Sequence, residues 1–130
     1  MMEETPTFED LENYYKAKVT PHLNPSMEKM IYFLSCISDF INSPPGALKR
    51  YIENLANSEL QKNWLIESLN AFEDTLANPP KEKGILAIVV SRDANQGLDD
   101  PTSDDEAIVI LKHITQMMRD ALGDNAPPKP

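Results

Sequence analysis

Residues 26–42 read Ser-Met-Glu-Lys-Met-Ile-Tyr-Phe-Leu-Ser-Cys-Ile-Ser-Asp-Phe-Ile-Asn, the most apolar helix-length stretch of the chain. At about 100° per residue, Met27, Met30, Ile31, Phe33, Leu34, Ile37, Phe40 and Ile41 fill an arc of roughly 180°, wider than the ~100° stripe of an ordinary surface helix. A helix of that kind has to be covered on more than one side. The remainder of the 130 residues is expected to supply the cover, which predicts an all-α domain: a bundle of five or six helices around the helix at 26–42.

Working outward, proline supplies most of the punctuation. Asn24-Pro25, Ser43-Pro44-Pro45 and Asn78-Pro79-Pro80 each set a capping side chain directly before proline, whose missing N–H is no loss in a first helical turn. These predict three helix starts. Ser58 with Gln61 and Ser103 with Glu106 have capping-box spacing, and Thr7 with Asp10 is the same device with a shorter acid. The first helix then covers 8–19, with Phe8, Leu11, Tyr15 and Val19 on one face, and ends before Pro21. A third covers 44–56, with Leu48, Tyr51, Ile52 and Leu55 inward. A fourth follows the joint at Asn57 and Ser58 and runs to 77, its Leu65, Leu69, Phe72 and Leu76 within an arc of roughly 60°. Trp64 falls about 100° from the centre of that stripe, close to Leu60. The last helix covers 104–122, where Ala107, Ile110, Leu111, Ile114, Met117, Met118, Ala121 and Leu122 form one stripe and Gly123 is a natural terminator.

The segment 84–93, Gly-Ile-Leu-Ala-Ile-Val-Val-Ser-Arg-Asp, admits two readings. Ile85, Ile88, Val89 and Val90 suit a strand, and so short an apolar run is not assigned by periodicity alone. No second strand-like run exists to pair with it, and a lone strand leaves backbone groups unpaired. A helix bracketed by the Asn78-Pro79-Pro80 start and Gly97 is preferred; a single short strand at 85–90, pairing with another molecule, is the alternative. Residues 1–123 are expected to form one helical domain, and 124–130, ending Asn-Ala-Pro-Pro-Lys-Pro, a flexible Pro-rich tail.

Composition narrows the class. A 41% hydrophobic share with 25% charged residues is globular rather than disordered, and the length is that of one core. Cys36 is the sole cysteine, so no internal disulfide forms, which suits a reducing, cytoplasmic setting. The first residues lack the basic and apolar regions of a secretory signal, and no run approaches the length of a membrane span. Twenty-one acids against twelve bases give a net charge of −9, which repels a phosphate backbone and argues against nucleic acid as a partner. Glu3, Glu4, Glu9, Asp10 and Glu12 precede the first base at Lys16. Asp93, Asp99, Asp100, Asp104, Asp105 and Glu106 form a second acidic run.

No motif carries specific chemistry. The loop from Asp93 begins like a calcium loop, but its sixth position holds Leu98 where a sharp turn needs glycine, and its last holds Asp104 where a bidentate Glu belongs. His22 and His113 have no second His or Cys at ligand spacing, so no metal is assigned. Cys36 has no base beside it in sequence and reads as inert. Gly46, Gly84, Gly97 and Gly123 lie too far apart for a phosphate loop, and no cofactor is assigned.

What remains is surface suited to protein contacts. Tyr14, Trp64, Ile108 and Val109 fall outside the cleanest inward stripes, and large side chains off the core are the usual anchors of interfaces. The expected function is a non-catalytic interaction module: a small acidic adaptor, chaperone or inhibitor of a basic protein partner. Asp99, Asp100, Asp104 and Asp105 would steer that partner. Two alternatives stand beside it: a small-ligand-binding protein or enzyme with a pocket near Cys36 and His22, and a homodimer formed through 85–90.

Overall fold

The computed structural model describes residues 7–41, 44–94, 96, 98 and 103–128, with every side chain in them except those of Phe8 and Leu11. Six α-helices and no strand occur among the described residues. The first, α1 (Phe8–Val19), starts at a complete capping box in which the Thr7 hydroxyl accepts from the Asp10 N–H and the Asp10 carboxylate from the Thr7 N–H. A 3-10 turn, Thr20–His22, then leads to α2 (Pro25–Ile41), the apolar helix of the sequence. Asn24 accepts from the Met27 N–H at 2.9 Å, so the Asn-Pro start works as expected there.

The three middle helices start differently from their sequence signals. Helix α3 (Ala47–Ala56) begins after Gly46, whose φ of 86° no other residue adopts cheaply, while Pro44 and Pro45 form the preceding turn. Helix α4 (Lys62–Ala77) begins later than the Ser58 box implied: Ser58 closes a turn, its carbonyl accepting from the Gln61 and Lys62 N–H groups. Helix α5 (Ile85–Asp93) begins after Gly84, at a φ of 90°, and not at the Asn78-Pro79-Pro80 signal. Here the strand alternative is overturned. Ile85, Leu86, Ala87, Val89 and Val90 are all buried in helical backbone, so no sheet edge is presented at 85–90.

The cap of α5 comes from elsewhere in the chain. Asp104, the first residue of α6 (Asp104–Leu122), accepts from the Gly84 N–H at 2.9 Å and from the Ala87 N–H at 3.0 Å. Gly84 has no side chain to cap its own helix, and a carboxylate at that end also suits the helix dipole. At the other end of α6, Gly123 at φ 54° stops the helix, and its N–H returns to the Arg119 carbonyl.

Helices α2 and α6 each pack on α3, α4 and α5, so the central helix is covered from three sides as its wide apolar arc requires. Met27, Met30, Phe33, Leu34 and Ile37 are buried along α2, each contributing about 1.5–3 kcal/mol on leaving water. Against it, α4 runs antiparallel: Ser26 donates to Asp74 at 2.5 Å near one end, and Tyr32 meets Trp64 near the other. Leu65, Leu69 and Phe72 of α4 are buried as their 60° arc predicts, as are Ala107, Leu111, Ile114, Met118 and Leu122 of α6. Arg119 on α6 ties this face to α4 by donating to both carboxylate oxygens of Glu73, and it donates a third bond, at 2.8 Å, to the Pro127 carbonyl. No described helix is long and apolar enough to cross a membrane.

Candidate functional site

The sequence-predicted contact residues are spread over three helices. Tyr14 on α1 is 58% exposed and Val109 on α6 is 66% exposed, as a surface role needs. Ile108 and Trp64 are half-buried and pack against the core. Asp105 is exposed, whereas Asp104 is engaged at the start of α5 and has both oxygens occupied. Asp99 and Asp100, with Gly97, lie outside the described residues. Of the two acids of this set that are described, only Asp105 is fully on the surface.

Trp64 lies beside a concavity on the α2/α4 seam. A groove of about 320 Å³ is lined by Pro25, Glu28, Lys29, Tyr32, Trp64, Glu67 and Ser68. Tyr32 and Trp64 meet edge-on with ring centroids 6.3 Å apart. Trp64 in turn rests on Phe33 at 5.1 Å, and Phe33 meets Phe72 edge-on at 5.7 Å. Four rings thus run from the groove into the core. Such pairs hold one another in fixed geometry, so the groove wall is preorganised. Tyr32, 63% exposed, was not singled out by sequence, although the signal was there: it sits about 200° around α2 from Met30, in the middle of the non-core side.

Two further hollows carry less. One of about 440 Å³ between α3 and α6 is lined by Lys49, Glu53, His113, Met117, Asp120 and Ala121 and lacks the aromatic wall of the α2/α4 groove. A shallow one of about 310 Å³ lies on α6 between Asp105, Glu106, Val109 and Ile110.

A polar cluster joins α1 to α5. Tyr15 donates to Asp93, Arg92 pairs with Glu12, and the Arg92 guanidinium lies 4.2 Å over the Tyr15 ring. Burial raises the Asp93 carboxyl above its ordinary value, with the Tyr15 hydroxyl and the Arg92 charge pulling it back. Burial likewise raises the Tyr15 phenol, and the Asp93 carboxylate adds to the shift. A phenol so held is a donor that keeps its proton. This arrangement suits a fastening between helices better than proton transfer.

Neither His22 nor Cys36 lines any of the three hollows described above. His22 meets Glu82 at 2.9 Å beside Lys18, and Glu82 is held below the usual carboxylate range by those two partners. Cys36 lies half-buried on α2, about 16 Å by helical rise from the helix's first residue, Pro25. Its surroundings include Tyr51, which stacks on Phe40 with centroids 4.4 Å apart and whose phenol is raised by burial and by Cys36 and Tyr32. Among the described residues, no group of three or more His, Cys, Asp or Glu side chains is placed to hold a metal ion.

No family model matches this chain, and no curated protein or solved structure matches it either.

Proposed function

We propose that this protein is a non-catalytic interaction module, a small acidic adaptor, chaperone or inhibitor that binds a basic protein partner. The observation that carries this reading is the rigid aromatic wall of the α2/α4 groove: Tyr32 is largely exposed, yet it is backed by Trp64, Phe33 and Phe72 down to the core. Large apolar side chains that stay in water in a fixed geometry are the usual anchors of a protein contact. The net charge of −9 supports a basic partner, because opposite charge speeds encounter and suppresses wrong pairings. A reducing compartment such as the cytoplasm suits the free Cys36.

The test is affinity capture from native lysate at low and moderate salt, with mass spectrometry of what is retained. The expected result is a stoichiometric protein of basic surface that is lost as salt rises and is weakened by Tyr32→Ala. Recovery of the bait alone, as a folded monomer, overturns the proposal.

A further inference from the structure

We infer that the α2/α4 groove is the seat of one arginine side chain of the partner; this rests on the interaction-module reading and adds the chemistry of its contact. Three observations lead to it. The wall is aromatic, formed by Tyr32 and Trp64, and the guanidinium plane is the cation best suited to an aromatic face. The rim carries Glu28 from α2 and Glu67 from α4, and neither carboxylate has an ion-pair or hydrogen-bond partner among the described residues. Two carboxylates across a groove suit the forked donors of a guanidinium better than a single ammonium.

The third observation is that the molecule already contains the same recognition elsewhere. At the α1/α5 contact, Arg92 lies over the Tyr15 ring with the carboxylates of Glu12 and Asp93 beside it. The groove brings together the same kinds of group, aromatic rings and two acids, with no arginine among its lining residues. Lys29 also lines it, without an ion-pair partner among the described residues. Its charge opposes the incoming cation, as do the roughly half positive charges at the starts of α2 and α4. The net charge around the groove is therefore small, so the preference for a guanidinium rests on the aromatic wall and the two unpartnered carboxylates, and Lys29 becomes a control in the experiment.

Trp64 is the sole tryptophan, so its fluorescence reports on this groove and nowhere else. The probe is N-acetyl-arginine-N-methylamide, titrated beside the citrulline analogue, which has nearly the same shape without the charge. The expected result is a saturable change in Trp64 emission with the arginine compound and little with citrulline. Replacing both rim acids (Glu28→Gln with Glu67→Gln) weakens binding about tenfold, the sum of two exposed charge contacts. Lys29→Gln strengthens it about twofold, which a merely structural role for Lys29 does not predict. Circular dichroism checks that these surface variants stay folded. Equal responses to arginine and citrulline, or indifference to loss of both acids, overturn the assignment. So does a concentration-dependent dimer that buries Trp64, which makes a second copy the occupant. A captured basic partner that binds the double Gln variant unchanged leaves the module reading standing and removes arginine from the groove. Arginine binding with no partner captured does the reverse.

Discussion

Between α2 and α4 the described contacts are mostly apolar: Met30, Phe33 and Leu34 face Leu65, Leu69 and Phe72, all shielded from water. Between α1 and α5 the fastenings are polar, made by Tyr15 with Asp93, Arg92 with Glu12, and, just beyond, Lys18 and His22 with Glu82. The first kind is non-directional and strong in proportion to the area buried; the second depends on geometry and on protonation. One seam therefore holds the fold together, and the other decides where α1 lies upon it.

Breaking the apolar seam should have the largest effect. Phe33→Ala removes a ring that touches both Trp64 and Phe72 and should lower stability by about 3–5 kcal/mol. In urea unfolding that shifts the midpoint by more than about 1 M, with loss of the Trp64 near-ultraviolet signal. A smaller shift than that of Tyr15→Phe inverts the comparison.

Tyr15→Phe comes next. It strips the largely buried Asp93 carboxyl of its hydroxyl donor and should destabilise by about 1–3 kcal/mol. The same pair carries a pH signature. Because the folded phenol is raised above its ordinary value of 10.0, the native state holds a proton that the unfolded chain releases at high pH. The stabilisation is whole below that value and drains as pH rises through and beyond it. Denaturation curves above pH 10 should therefore fall more steeply for the wild-type protein than for Tyr15→Phe. Parallel curves mean that the hydroxyl is not held as described.

Asp104→Ala should have a smaller effect, about 1 kcal/mol, the usual value of a lost helix cap. Calorimetry or urea unfolding resolves it. His22→Gln sharpens the comparison from the other side: its contact with Glu82 is exposed, and the unfolding midpoint should not move measurably. A clear loss of stability there would mean that the outer polar contacts hold α1 more firmly than the inner pair.

Local chemistry explains which elements were legible in the chain. Thr7 with Asp10 and Gly123 act on their own helices, so the ends of the first and last helices could be read directly. The start of α5 could not. Its signal sits twenty residues on, at Asp104, and Asn78-Pro79-Pro80, a stronger local cue, drew the helix start upstream. Ser58 misled for a related reason: its capping spacing falls on a turn closed by its own backbone carbonyl, and α4 begins at Lys62 with no side-chain cap. At the groove, Trp64 stood out by its angle from the α4 stripe, but its meeting with Tyr32 depends on the antiparallel pairing of two helices and is invisible to periodicity within either one.

The bond from Asp104 to the start of α5 also sets how these two helices open. The amides of Gly84 and Ala87 are shielded from exchange with solvent only while the first turn of α6 is in place. Deuterium uptake at those two positions should therefore follow the fraying of α6, a helix remote in sequence, so that α5 and the start of α6 open as one cooperative unit.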